Sequence, residues 1–259
     1  ADLEKLADAP SPSPRTPPRA PAPPQNPPVI QPPVNVNLTG LYIIDKPTIM
    51  SATTPAYRQF LRDSGYGDLD SCTGMKFAKG VLKYDQAVRE ATRRLGSRLN
   101  GNDGEYVVSI SQPNSRKLVE ALGFKLTSTG LMYKLFIPYI KDLVNQGNAE
   151  AQATLDEMTN ITSGEAEWLE DLILDKARLK IGTQERRIAL PDKDGRFDRK
   201  NINEFGYPKK VKDSGEFHYW HVSGDERAAI RDKDSGPGLN LGREPSFEDD
   251  GLGVRRAKF

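Results

Sequence analysis

The residues best equipped for chemistry are few. The chain holds two histidines, His218 and His221, in an H-x-x-H spacing, and one cysteine, Cys72. On a helix this spacing would put both imidazoles on one side. Phe217, Tyr219 and Trp220 interleave them, however, which favours a strand and opposite faces. Zinc needs three or four ligands, and only Asp225 and Glu226 lie close in sequence, so no metal site is expected. The same aromatics, Phe217, Tyr219 and Trp220, instead read as an anchor for a pocket on a partner. A lone Cys72 cannot form an intramolecular disulfide and reads as a small, partly buried residue. Arg89, Arg93, Arg94 and Arg98 recur on one helical face, a pattern that suits phosphate, an acidic partner or plain solvation. No nucleophile elbow, Walker loop or H-E-x-x-H helix is present.

The stretch that would position any site runs from Tyr106 to Phe136. Tyr106–Ile110 is alternating and β-branched, Pro113 stops a strand, and Ser115–Leu122 repeats apolar residues at helical spacing until Gly123 ends it. Two apolar runs, Phe124–Thr127 and Leu131–Ile137, flank Ser128-Thr129-Gly130, whose glycine suits a turn with positive φ. The expectation is a β-α-β-β unit.

This unit resembles the C-terminal part of the GNAT superfamily of N-acetyltransferases, in the branch that acetylates ribosomal-protein N-termini. The likeness rests on Ser115-Arg116, Glu120 and Leu122-Gly123-Phe124, and with the preceding helix it covers Lys79 to Ile137. It implies acetyl-CoA as cofactor, with Asn114, Ser115 and Arg116 at the helix start as its contacts and Tyr133 as a distant candidate acid. Val119 stands where many members carry a catalytic Tyr. The family's glycine-rich pyrophosphate loop would fall near Thr73–Gly80, where the sequence reads T-G-M-K-F-A-K-G and lacks that pattern. Without acetyl-CoA, Ser115 reads as the N-cap of its helix and Tyr133 as a sheet residue.

Around this core the chain divides by composition. Residues 1–33 are proline-dominated from Pro10, which leaves an extended polyproline-like arm. Residues 34–137 form an α/β core of α+β character, with Val34–Leu38 as an edge strand, Leu38–Ile44 as a strand, Thr54-Pro55 opening a helix, and a long amphipathic helix over Lys79–Leu99. Residues 138–182 form a helical extension: Pro138 starts one helix, Ala149–Met158 is another, and a Thr162/Glu165 capping box opens a third with Trp168, Leu169, Leu172, Ile173 and Leu179 on one face. Residues 183–259 read as a polar extended tail of short hooks, with a strand at Glu216–Val222 and a helical turn or two at Asp225–Ile230.

The chain carries 37 basic and 36 acidic residues, so no global field favours nucleic acid, and Arg89, Arg93 and Arg94 offer that partner only locally. No apolar run spans a membrane and no export signal is evident. An apolar fraction of 36% is low for a globular chain of 259 residues. These features together predict a structural or interaction protein, without cofactor, whose two arms bind neighbouring subunits of a large assembly. The resemblance to acetyltransferases, whose relatives occur among phage virion genes, makes a bacteriophage virion the specific expectation by analogy. The alternative is a cytoplasmic acetyl-CoA-dependent N-acetyltransferase.

Overall fold

The computed structural model describes residues 40–95, 107, 110–159, 166–232, 237–248 and 252–258. The chain divides into two units, 1–33 and 34–259. The proline-rich arm, the edge strand at 34–38, the turn at 100–104 and the Thr162/Glu165 capping box lie outside the described residues. So do Arg98 and the side chain of Arg94.

Among the described residues the first element is β1 (Leu41–Asp45), which alternates so that Tyr42 and Ile44 point inward. Asp45 ends it and caps α1 (Lys46–Ala52) by accepting the Thr48 N–H at 3.0 Å. In α2 (Pro55–Asp63) the Thr54 hydroxyl accepts from Tyr57 N and Pro55 takes the first turn, as the sequence predicts. The helix buries Tyr57, Phe60 and Leu61 and stops before Gly65, at φ +85°. Strand β2 (Gly74–Ala78) follows, so the segment that would hold the pyrophosphate loop is a strand. The long helix expected over 79–99 begins only at Gln86 as α3 (Gln86–Leu95), Val81 and Leu82 lying in no regular element; residues 96–99 lie outside the described residues. α4 (Gln112–Ala121) and the Gly123 stop agree with the sequence, while its N-cap is Ser111 and not Ser115. Of the strand expected over 106–110, only Val107 and Ile110 are described, and neither lies in a regular element.

The two-strand reading beyond Gly123 is corrected. β3 is only Lys125–Leu126; α5 (Thr129–Leu131) then runs through a π-helical stretch (Met132–Phe136) into α6 (Ile137–Asn145). A run of apolar residues buried on all sides carries no period that separates strand from helix. Gly130 is not in a turn of positive φ but inside this helix, and glycine is needed there because a Cβ would overlap the Tyr57 hydroxyl. α7 (Ala149–Thr159) follows as expected.

The third helix of the predicted extension does not exist. Ala166–Leu174 is β4, the axis of a large sheet. Its residues are buried on both faces: Leu169 and Ile173 pack into one apolar cluster, Ala166, Trp168 and Leu172 into another. Apolar residues facing both ways leave no strand alternation, and the sequence mimics a helix. A turn with Asp175 and Lys176 at φ +49° and +59° leads into β5 (Arg178–Ile181) and β6 (Gln184–Arg187).

Nor is 183–259 an extended tail. It supplies β7 (Gly195–Phe197), β8 (Phe217–Trp220), β9 (Glu226–Asp232), β10 (Gly238–Arg243), β11 (Leu252–Val254) and β12 (Arg256–Lys258). The turn expected at 225–230 is thus strand β9. The large sheet runs β6-β5-β4-β9-β10-β8-β7 with β11 parallel to β4, and a smaller antiparallel sheet runs β1-β2-β12-β3. The chain is a mixed α+β fold in which β12, late in sequence, fills the gap between β2 and β3. Apolar residues that look like isolated hooks are strand positions whose partners lie far away in sequence: Phe197 and Phe217 face each other across β7 and β8.

Candidate functional site

Three acids on β4, Glu167, Glu170 and Asp171, are buried in the middle of the sheet. Glu167 is fully enclosed and meets Arg231 Nη2 at 3.0 Å and Arg255 Nη2 at 2.9 Å. Burial alone would raise its pKa, but the two guanidiniums hold it below the ordinary value. Both arginines also donate to backbone carbonyls, Arg231 to Met158 O at 2.6 Å and Arg255 to Ala78 O at 2.9 Å. Asp171 accepts from the Tyr207 hydroxyl at 2.7 Å and from Thr129 N at 3.2 Å, yet burial pushes it up to about 6. Glu170 is pushed up to about 7 by burial, against the pull of Arg116. Arg116 Nε stands 2.8 Å from Glu170 Oε1, within ion-pair range but out of line for a hydrogen bond, and its Nη2 donates to Glu170 O at 3.1 Å.

The residues proposed as acetyl-CoA contacts sit on the α4 turn over these acids. Ser115 is fully buried, Arg116 is committed to Glu170, and Asn114 is half-buried. Gln112, one turn earlier, donates to the carbonyls of Leu169 and Asp171 at 2.6 and 3.1 Å. The start of α4 is therefore a seam between helix and sheet. Tyr133, the candidate acid, is buried in the π-helical stretch with its hydroxyl donating to Gly238 O, and burial raises its pKa far above the ordinary phenol value.

The aromatic anchor splits by strand parity. Phe217 and Tyr219 face inward and are buried, Phe217 edge-on to Tyr133 at 5.2 Å, so neither is free for a partner. Trp220 faces the other way, half-buried and stacked on His218 at 5.5 Å. Arg89 and Arg93 are exposed on α3, Arg89 lying over the Tyr84 ring. Cys72 is half-buried, and burial raises its thiol pKa.

The exposed group with the clearest chemistry is one the sequence reading missed. Asp194 Oδ1 accepts both the backbone N–H of His221, at 2.9 Å, and its ring Nδ1, at 2.7 Å. The His221 contacts keep the carboxyl below its usual pKa. A carboxylate at Nδ1 requires the proton there and leaves Nε2 to accept one, which is the geometry of an oriented acid–base histidine. The ring lines an open cleft of about 350 Å³ with Lys176, Leu190, Pro191, Asp192, Val222 and Ser223. Lys176 reaches it from the turn with positive φ after β4, a conformation unusual for lysine. A second, more open cleft of about 450 Å³ lies between Gly65–Gly67, the end of α4 and β12, with Phe124, Lys125 and Lys258 on its walls. The Asp194 partnership spans 27 positions of sequence, so no local spacing signals it.

Among the described residues, no three His, Cys, Asp or Glu side chains converge as a metal site. No described helix is long and apolar enough to cross a membrane. No family model, curated protein or solved structure matches the chain.

Proposed function

We propose that the chain is a structural or interaction component of a larger assembly, tethered through its proline-rich segment, with a bacteriophage virion as the favoured setting. The observation that carries this reading is that the described residues of the folded unit, down to the late strands, build two paired sheets around a buried core. Its late strands β11 and β12 complete both sheets, and Leu95 is the exposed large apolar residue among those described. The proline-dominated composition of residues 1–33 suits docking along another subunit. The partner-binding role once shared between two arms falls to this one segment, since 183–259 is built into the sheets.

Removal of residues 1–33 tests the proposal. The shortened chain is expected to keep its thermal unfolding transition and to lose co-sedimentation with the particle or complex from which the full chain is recovered. Undiminished co-sedimentation would reduce the segment to a spacer and sink the reading. Acetyl-CoA-dependent transfer is the alternative, and the internal contacts of Ser115 and Arg116 weigh against it.

A further inference from the structure

The segment between β7 and β8 folds back on itself as a two-stranded ribbon. Arg196 and Lys212 bridge in antiparallel register, as do Ile202 and Pro208. Lys209 N donates to Asn201 O at 2.9 Å, and the Asn201 side chain donates to Lys210 O at 3.2 Å. At the tip, Asn203 N donates to Tyr207 O at 2.7 Å, and its Oδ1 accepts from Phe205 N and Tyr207 N. The ribbon is moored from within by buried Phe205 and Tyr207.

Its outer surface is cationic. Lys200, Lys209 and Lys210 are exposed, Arg199 is half-exposed, and among the described residues none of the four makes an ion pair. Lys212 meets Asp198 only at 3.7 Å. Of the acids on this segment, Asp198 accepts from Glu216 N at 3.1 Å, Glu204 from the Thr54 hydroxyl at 2.9 Å, and Glu216 pairs with Lys141, while Asp213 next to Lys212 is exposed and leaves the four cations in excess. At the base of the ribbon the Arg196 guanidinium meets His218 Nε2, and His218 stacks on Trp220. Trp220 in turn lies across Gly238, where a Cβ would collide with the indole. A row of unpaired cations thus ends at a stack of guanidinium, imidazole and indole on the outer face of β7 and β8.

We infer that this ribbon and stack form a docking surface for single-stranded nucleic acid, the cations following the phosphates and Trp220 taking a base. Cations alone would serve an acidic protein segment equally well; the adjoining half-exposed aromatic stack favours bases, each of which offers a flat face. A chain of nearly balanced overall charge can hold such a site because the excess is local.

The full chain, mixed with a labelled oligothymidylate and followed by anisotropy, tests this. Affinity is expected to fall with salt, with a log–log slope of about −0.7 for each phosphate contacted. Lys200→Glu, Lys209→Glu and Lys210→Glu together should weaken binding about 100-fold near 0.1 M salt. Because all three are exposed, the thermal transition should stay in place. Binding should also quench tryptophan fluorescence through Trp220, since Trp168, the other indole, is fully buried. Trp220→Ala should abolish the quench and cost about 10-fold in affinity, with Trp220→Phe recovering most of the latter. Absence of binding at low salt, or full affinity in the charge-reversed variant, overturns the inference. So does binding without quenching that polyglutamate displaces at equal charge, which would mark the ribbon as a surface for acidic protein segments.

Discussion

Replacing Glu170 with Gln separates the charge of this residue from its shape. The folded protein holds the Glu170 proton up to about pH 7, while an unfolded chain releases it near 4.5. Between those values the folded state binds more protons than the unfolded one, so stability falls as pH rises, and the full penalty is felt above about 7. At about 1.4 kcal/mol per pH unit, the gap between 4.5 and about 7 is worth about 3 kcal/mol, an upper figure because Arg116 and Asp171 can readjust. Gln has the neutral form's size and never ionises, and the Arg116 bond to the residue 170 carbonyl remains. Urea unfolding of both proteins should therefore show the variant gaining about 2.5 kcal/mol relative to wild type between about pH 5 and pH 8. Asp171, pushed up to about 6, is present in both proteins and largely cancels in the comparison. A difference that stays constant within about 0.5 kcal/mol over this range would refute the claim that burial governs Glu170.

Glu167→Ala should destabilise the fold by about 3–5 kcal/mol in urea unfolding, because it strands Arg231 and Arg255 without their shared carboxylate. Its depressed pKa has the opposite consequence to that of Glu170: the stability Glu167 contributes is present above the ordinary carboxylate value and is lost as pH falls through the depressed one. Gly206→Ala should cost at least about 1–3 kcal/mol by thermal or urea unfolding. The residue sits at φ +87°, and a Cβ would lie 2.7 Å from Gly130 Cα and from Thr129 O.

Where local chemistry decides structure, the sequence is legible. Thr54-Pro55 marks a helix start, Gly123 marks a stop, and the alternation of Phe217 to Trp220 marks a strand, because capping groups and side-chain parity act over a few residues; Pro138 misleads, since it lies inside the helix that runs on from the π-helical stretch. Legibility fails where an element is defined by partners far along the chain. Ala166–Leu174 reads as an amphipathic helix because its acids look like a solvated face; in the fold Glu167 is neutralised by Arg255, 88 positions away. The segment 183–259 looks too polar to fold for the same reason, since Arg231 and Arg255 are enclosed with their counter-charge. For the site, His221 was visible as one of two histidines, whereas Asp194 belongs to a bend before β7 that nothing local ties to it.

The buried charges also bear on how such a fold is specified. A strand apolar on both faces, like β4, has no alternation to penalise a slip against its neighbour β9. Glu167 and Arg231 stand directly opposite each other across this pair, and the register already shifts once between Trp168 and Leu172. Slipping β9 by one residue would remove Arg231 from Glu167 and leave a fully buried carboxylate to one remaining arginine, at a cost of several kcal/mol. Apolar clusters lie on both sides of the sheet, so this ion pair penalises the slip more sharply than the hydrophobic pattern does. That pairing propagates outward: β9 sets β10, β10 sets β8, and β8 carries both the Trp220 stack and the approach to His221. On this argument the interior acids and arginines act at the surface indirectly, by fixing which face of β8 meets solvent.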